Sequence, residues 1–444
     1  MNSALSGFYK LTPEERRQRV LEQLPIAEEQ AQALWGKEGL DLTLADQLVE
    51  NVVGTMSFPL GVGLYAKING KDRIVPMVTE ESSVVAAASN ALKMLRAGGG
   101  IQAESSAPIM IGQIQLVNVS DPKAVCESIL AAKGDLLQKA AEIAPNIIKR
   151  GGGPRDLEVR HLPPMEQNDP LGDMVVAHIL VDVCDAMGAN LINTICEGLA
   201  PMLEQLSGCS SRLRILSNLS DKRTVSVKGY VPVEAFCPKG QPRSFGIATA
   251  QGIEEASVFA ERDPYRAATH NKGIMNGVDA VLLATGQDFR AIESGAHAYA
   301  ARNGRYTALS QWRVVRDEQG EITGLSGEMT IPMAVGVVGG ITRLHPTVGA
   351  ALKCLGIEKA HELAEVAATV GLAQNMAALR ALAMEGIQKG HMGLHAKNLA
   401  AEEGALSHEL DWVVAQMKAA NTITRQAARE YLETLRKDGK STAE

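Results

Sequence analysis

The stretch Thr269–Asp288 reads THNKGIMNGVDAVLLATGQD, and the rest of the chain is organised around it. Lys272 stands between two glycine-broken polar turns, the apolar run Val278–Ala284 follows, and Asp288 comes sixteen residues after the lysine. A lysine ammonium beside a reacting carbonyl can hold the oxyanion that forms there, provided a nearby carboxylate keeps it protonated once water is excluded. Asn271 and Asn276 flank it as neutral donors. Alone, such a lysine reads as a surface residue on a capped core helix, because lysines are seldom buried. Its meaning depends on what the other segments supply.

A chain of 444 residues exceeds one ordinary core, so two or three lobes are expected. The hydrophobic content of 45% and mean hydropathy of −0.03 fit a soluble globular protein. Aromatic residues make up only 4%, so the core must be packed from Ala, Val, Leu, Ile and Met. A net charge of −7 argues against a general nucleic-acid binder, which would need a basic face, while leaving room for local basic patches toward a phosphorylated ligand. The six cysteines form no CxxC pair and read as reduced thiols of a cytoplasmic protein. The N-terminal MNSALSGFYKLTPEERR lacks the apolar core of a signal peptide. No run of eighteen uninterrupted apolar residues occurs, so no membrane-spanning helix is expected.

Working outward toward the N-terminus, Thr12-Pro13-Glu14-Glu15 reads as a helix start, with a threonine cap and proline at the first helical position. Asn69-Gly70 supplies a hairpin turn between Leu64–Ile68 and Arg73–Val78. Gly61, Gly63 and Ala66 satisfy G-x-G-x-x-A on paper, but the hairpin leaves no helix to follow them, so they are not a phosphate loop. Glu80-Glu81-Ser82-Ser83 precedes a helix over Val84–Ala97, and either serine can cap it. A carboxylate there ordinarily serves the helix dipole; as a proton donor Glu81 would need burial or a hydrogen-bonding partner.

From Ile109 the texture changes to a βααββαβ-like succession: strands at Ile109–Val119, Leu157–Leu162, Met174–Val183, Leu213–Leu216 and Thr224–Val231, with helices at Pro122–Lys133, Asp135–Ile143 and after Asp185. This suits a compact α+β insert. The turn Asp185-Ala186-Met187-Gly188-Ala189-Asn190 joins a strand to a helix. Gly188 lets backbone approach a ligand and the helix N-terminus favours a pyrophosphate. The same residues also suit a plain strand-to-helix turn with an aspartate cap. They are not the Rossmann fingerprint.

Beyond Asn218 helices return at Gly246–Glu261 and Phe289–Arg302, then a hairpin of Trp312–Arg316 and Leu325–Ile331, a glycine-rich loop at 332–340, and helices from Pro346 to Gly386. His391 and His395 are spaced as two metal ligands on a helix, but no HExxH and no third ligand accompany them, so no metal is expected. Glycines around the pair suggest a hinge, with helices near Glu409–Ala419 and Thr424–Leu435 forming a mobile flap. A histidine on such a flap suits a general acid.

Together ENVVG (Glu50–Gly54), EESSVVAAAS (Glu80–Ser89), DAMGAN (Asp185–Asn190), RILSN (Arg214–Asn218), DPYRAATHNKGIMNG (Asp263–Gly277), TGQDFRA (Thr285–Ala291) and GHMGLHAKN (Gly390–Asn398) resemble the 3-hydroxy-3-methylglutaryl-coenzyme A (HMG-CoA) reductases, specifically the shorter soluble bacterial class II enzymes. The motifs span nearly the whole chain in the family's order.

The resemblance implies an α+β fold. A large, mainly helical, discontinuous domain (1–110 and 218–386) binds substrate and dimerises; an inserted ferredoxin-like α+β domain (111–217) takes the dinucleotide; a C-terminal helical flap covers 387–444. It implies Glu81, Lys272, Asp288 and His391 as the catalytic set. Ser83, Arg266, Asn271, Asn276 and Asn218 would bind substrate, and Asp185, Ala186, Met187, Gly188 and Asn190 the cofactor. The implied reaction is HMG-CoA to mevalonate and CoA, through mevaldyl-CoA and mevaldehyde, by two hydride transfers. The same residues serve the pathway toward isoprenoids and the catabolic direction. In that reaction Lys272 holds the oxyanion, Asp288 orients it, His391 protonates the CoA thiolate and Glu81 is the proton donor to the aldehyde. A homodimer with shared active sites, gathered into hexamers, is implied; no nucleic acid or membrane partner is. NAD is favoured by likeness to the short class. Locally, however, Ile143–Arg150 reads IAPNIIKR, with no acid for a ribose hydroxyl and with Lys149 or Arg150 suited to the 2′-phosphate of NADP. Two competing readings are an oxidoreductase for another acyl-CoA on the same scaffold, and a non-catalytic CoA or nucleotide binder.

Overall fold

The computed structural model describes residues 1–24, 28–35, 40–166, 169–384, 396–420 and 422–437. Two sheets organise it. A six-stranded sheet comprises β1 (Leu60–Ile68), β2 (Lys71–Val78), β3 (Ile101–Ser105), β8 (Thr224–Pro232), β9 (Ser310–Arg316) and β10 (Ile322–Pro332), in the order β2-β1-β3-β8-β10-β9. A four-stranded antiparallel sheet comprises β4 (Ile109–Val117), β5 (Gly153–Leu162), β6 (Met174–Asp182) and β7 (Ser210–Leu216), in the order β5-β6-β4-β7. The second sheet, with helices Pro122–Ala131 and Lys133–Ile143 after β4 and Ala189–Ser207 after β6, is the α+β insert expected from the sequence, except that the strand at Thr224–Val231, expected to close it, is β8 of the large sheet, paired with β3 and β10. Its two connections to the large sheet lie side by side, since Ser106 and Thr224 exchange backbone and side-chain hydrogen bonds of 2.9 and 2.8 Å.

Local chemistry sets several boundaries. Thr12 and Glu15 form a capping box ahead of the helix Pro13–Leu21. Asn69 and Gly70, at φ of 49° and 80°, make the tight turn joining β1 to β2 in the register Ile68↔Lys71. Gly61 and Gly63 lie inside β1, in accord with their exclusion as a phosphate loop. The short strand β3 was not expected: five residues behind a glycine triplet give little period-2 signal.

The central stretch departs from its sequence reading. Pro264–Ala284 is one continuous helix, and Gly273 and Gly277 lie within it rather than breaking it. The reason for Gly277 is contact with the helix Ala360–Met384, where a Cβ would stand 2.7 Å from the Val370 carbonyl oxygen. That partner helix is long and apolar enough to cross a bilayer, yet 67% of its most apolar window is buried within the protein, so it is a core helix. The crossing is zipped by buried polar groups. Asn375 Oδ1 accepts from Ser310 Oγ (2.9 Å) and Trp312 Nε1 (2.8 Å), and His270 Nε2 lies 2.7 Å from Ser310 Oγ. Burial pulls the His270 imidazole down to about 3, so it stays neutral in this network.

The C-terminal helices Ser407–Ala419 and Arg425–Lys437 pack with residues 396–400 around a separate small core, which includes Val413, Met417 and Leu432. Gly277→Ala tests the helix contact. Alanine in a helix interior normally gains stability over glycine by about 1 kcal/mol. Here overpacking against Val370 should reverse the sign, with a net loss of about 1–3 kcal/mol in denaturant unfolding.

Candidate active site

Two elements bring the central charges together. The turn after β2 carries Glu81, whose amide donates to Thr79 Oγ1 at 3.1 Å. Behind it, Ser83 occupies the N-cap position of the helix Val84–Ala97 at φ 74° with no side-chain cap bond. The left-handed backbone turns its side chain off the helix amides, which corrects the expectation that a serine caps this helix; the strain leaves that hydroxyl for another partner. Across from this turn, Lys272 Nζ donates to Glu81 Oε2 at 2.8 Å, and Asn276 Nδ2 donates to the same oxygen at 3.2 Å. Lys272 and Asn276 are one helical turn apart and therefore share a face. The lysine and glutamate side chains remain 60% and 39% exposed, so the pair lines an open cleft.

Asn271, expected to bind substrate, does not face this cleft. It is fully buried, donating to Tyr306 Oη (3.0 Å) and the Thr307 carbonyl (2.9 Å) and accepting from the Leu309 amide (2.9 Å). One residue along a helix is a rotation of about 100°, which carries it to the core side when Lys272 faces out. Arg266 is half-buried, and burial lowers its pKa. Among the described residues no carboxylate lies within ion-pair distance of it.

Asp288 caps the helix Phe289–Ala300 through the Ala291 amide at 3.1 Å and pairs with Arg290 at 3.6 Å; it makes no ion pair with Lys272. Its neighbour Gln287 fixes the turn by accepting from the Gly336 amide at 2.9 Å. Asn218 is exposed at the second connection, its carbonyl pressed against Gly295 of the same helix. His391, with His395, lies outside the described residues.

The DAMGAN turn opens the helix Ala189–Ser207 with Gly188 at φ 101° and no side-chain cap, leaving the first-turn amides to a ligand. No acidic residue lies in that first turn, and Asn190 is exposed. This fits the phosphates of a dinucleotide. Asp185 has partners that the sequence did not announce: its carboxylate accepts from the Ala360 amide (3.0 Å) and Lys359 Nζ (3.1 Å), tying the turn to the start of another helix. Burial opposes its charge, but those two hydrogen bonds hold its carboxyl below the usual range. Ala186 and Met187 beside it are half-buried.

Two features escaped sequence reading. Arg223, behind the DAMGAN turn, is 5% exposed, and nothing in the local pattern Asp221-Lys222-Arg223 announces that burial. Asp279, two turns beyond Lys272 on the same face, carries a buried Oδ1 without a hydrogen-bond donor and meets Glu293. Burial first, and Glu293 second, push its carboxyl up to about 8.

A solvent-open lysine–carboxylate pair, in a protein whose glycine-rich loop joins Gln287, just past the lysine's helix, to an uncapped helix start, suits the reduction or oxidation of a carbonyl centre with a dinucleotide. The family model for hydroxymethylglutaryl-coenzyme A reductase matches residues 12–396. The chain is 45% identical over 436 residues to the 3-hydroxy-3-methylglutaryl-coenzyme A reductase of Archaeoglobus fulgidus, covering 98% of this chain and 95% of that one. It is also similar to the solved structure of the Streptococcus pneumoniae reductase, at TM-score 0.81 and 43% identity over 97% of this chain and 99% of that one. A further structure of the class II S. pneumoniae enzyme, bound to NADPH in open conformations, matches at TM-score 0.79 and 44% identity over 85% of this chain and 99% of that one. The chain therefore belongs to the hydroxymethylglutaryl-coenzyme A reductase family, within its class II branch.

The Asp279 carboxyl sets a pH signature. Its folded pKa is raised, so between its ordinary value near 3.8 and about 8 the folded protein holds a proton that the unfolded chain has released. This contribution to stability falls as pH rises through that window. Asp279→Asn should gain stability relative to the parent by an amount that grows from pH 5 to pH 8, with a slope of up to one proton; parallel curves from urea unfolding would refute it.

Proposed function

We propose that this chain interconverts HMG-CoA and mevalonate plus CoA, consuming two reduced dinucleotides and two protons per thioester in the reductive direction. The observation that carries the reading is the convergence of Lys272 Nζ and Asn276 Nδ2 on one oxygen of Glu81. A substrate oxygen bound beside Nζ would sit within reach of both the cation and the carboxyl group.

Arg266, half-buried and without a carboxylate partner among the described residues, suits the free carboxylate of the HMG group, with Ser83 and Asn218 at the cleft edges. The dinucleotide supplies the hydride in both reductions. In the first, Lys272 stabilises the oxyanion formed from the thioester carbonyl, giving the hemithioacetal mevaldyl-CoA. On its collapse to mevaldehyde, His391 gives its proton to the departing thiolate. In the second, Glu81 protonates the aldehyde oxygen while Lys272 polarises it. Asp288, which caps the helix Phe289–Ala300 and makes no ion pair with Lys272 in this structure, is assigned by likeness to the family to keep Lys272 charged and oriented during turnover.

In this reading the large unit (1–110 and 218–386) holds the substrate, the ferredoxin-like unit (111–217) the dinucleotide, and the segment 387–444 closes as a flap. The exposed Val53 (97%) and Met56 (77%), before β1, support a homodimer in which residues 53–56 pack against a second copy. Likeness to the family supports a cytoplasmic hexamer built from three such dimers.

For the cofactor, we infer that NADPH is accepted, although likeness to the short class favours NAD. Lys149 and Arg150 are exposed, and the Arg150 carbonyl accepts from Cys184 Sγ at 3.6 Å, so the basic pair adjoins the DAMGAN turn. Two bases without an acid there suit a 2′-phosphate.

Dinucleotide absorbance during turnover of HMG-CoA, and of mevalonate with CoA in reverse, tests the activity. Two equivalents of NAD(P)H should disappear per thioester. Lys272→Ala should lower kcat by about 10²-fold or more for both reductions while leaving the fold intact. His391→Ala should slow HMG-CoA reduction but spare reduction of free mevaldehyde; equal loss of both would refute its role as thiol acid. Replacing Lys149 and Arg150 with alanine should raise KM for NADPH about tenfold and leave KM for NADH unchanged.

A further inference from the structure

Arg223 is one of the most buried charges in the protein, 5% exposed, at the second connection between the two sheets. Its Nη1 donates to the carbonyls of Ala186 (3.0 Å) and Met187 (3.3 Å), and its Nη2 to the carbonyl of Val335 (2.5 Å) in the glycine-rich loop. Its own carbonyl accepts from the Met333 amide at 2.9 Å. Burial lowers its pKa to about 10, while Asp182 and Asp185 favour its charge, so the guanidinium is a cation at neutral pH. It bonds to no carboxylate; a buried planar fork has been spent on three backbone carbonyls.

Those carbonyls matter because of where they lie. Gly188 has the widest backbone freedom of any residue type, and no side chain caps the helix it opens. Nothing local fixes the direction of the first amides. In a planar trans peptide, carbonyl and N–H point opposite ways, so holding the Met187 carbonyl inward turns the Gly188 N–H outward. The other side of the turn is closed by the glycine-rich loop. The Val337 amide donates to the Asp185 carbonyl at 3.0 Å, and a Cβ on Gly336 would stand 2.5 Å from the Met187 nitrogen.

We propose that Arg223 is a positioning residue for the dinucleotide: clamped against the glycine-rich loop, it holds the 185–188 turn in the shape that presents the Gly188 amide and the uncapped helix start to the phosphates. This rests on the assignment of the DAMGAN turn as the dinucleotide site. Lysine at this position keeps the charge but has one nitrogen, where the guanidinium reaches the 186–187 carbonyls with Nη1 and the Val335 carbonyl with Nη2.

NADPH binding followed by fluorescence, steady-state kinetics and thermal unfolding are compared in the full-length protein. Arg223→Lys should raise both the Kd and the KM for NADPH about tenfold. Its kcat at saturating NADPH and its KM for HMG-CoA should stay within about twofold, the pattern of lost binding rather than lost chemistry. Unchanged NADPH affinity, or an equal rise in both KM values, overturns the proposal. If Arg223→Lys does not fold, Gly336→Ala carries the test, because it pushes on the Met187 backbone without touching the buried charge. The same selective loss of NADPH affinity is expected, and its absence overturns the clamp. Gly188→Ala separates the two levels. Weaker NADPH binding there with intact binding in Arg223→Lys overturns the role of Arg223 alone. Intact NADPH binding in Gly188→Ala overturns the turn as the dinucleotide site and the role of Arg223 with it.

Discussion

Two helices that touch backbone to backbone fix where Lys272 stands. At the crossing of Pro264–Ala284 with Ala360–Met384, Gly277 meets the Val370 carbonyl and Gly371 meets Val278 and Ile274, at distances that admit no side chain on either glycine. With the buried His270, Ser310 and Asn375 network beside it, the contact fixes the rotation of the central helix about its own axis. His270, Asn271, Ile274 and Val278 are turned inward; Lys272, Asn276 and Asp279 are turned toward the cleft and its flank. A rotation of one residue would place Asn271 in the cleft and the lysine ammonium against apolar core, which the burial cost of a charge forbids.

The Lys272–Glu81 ion pair itself contributes little to folding, because both side chains are well exposed to water. Its significance is positional. The glutamate comes from a turn held by β2 and strained at Ser83, the lysine from a rigid helix, so two independent parts of the large core must agree before the charges meet. Rigid elements hold such a constellation more accurately than loops do.

Much of this architecture can be read from the chain. Thr12-Pro13, Asn69-Gly70 and the alternation in Thr224–Pro232 carry their own local instructions, and the βααββαβ succession predicts an insert with the observed helices. The family was legible because several specific segments occur together in order. What could not be read depends on long-range contact. Continuity of the central helix through Gly273 and Gly277 is decided by the partner helix, not by propensity. The side chains of Asn271 and Asp185 are claimed by Tyr306, Thr307 and Lys359, far away in sequence, and no local pattern announces that. Arg223 is hidden for the same reason: beside Lys222 it has the look of solvated charge, and only the fold wraps three carbonyls around it. The pairing of Asp288 with Arg290 is local, yet a carboxylate there could equally have been aimed at the lysine.

β3 and β8 are adjacent antiparallel strands, paired from Ile101↔Gly229 to Ser105↔Val225. They amount to a hairpin in which residues 106–223 replace the turn. A whole folded unit is thus spliced into the gap of one strand pair, at two chain segments only about 5 Å apart. The large sheet closes through β3 and β8 across the splice. Beyond the two connections, the inserted unit is seated by the hydrogen bonds of Arg223 and Asp185 to the glycine-rich loop and to the start of the helix Ala360–Met384. A change in the angle between the units would therefore have to break buried polar contacts, which turns the splice into a fixed joint rather than a hinge.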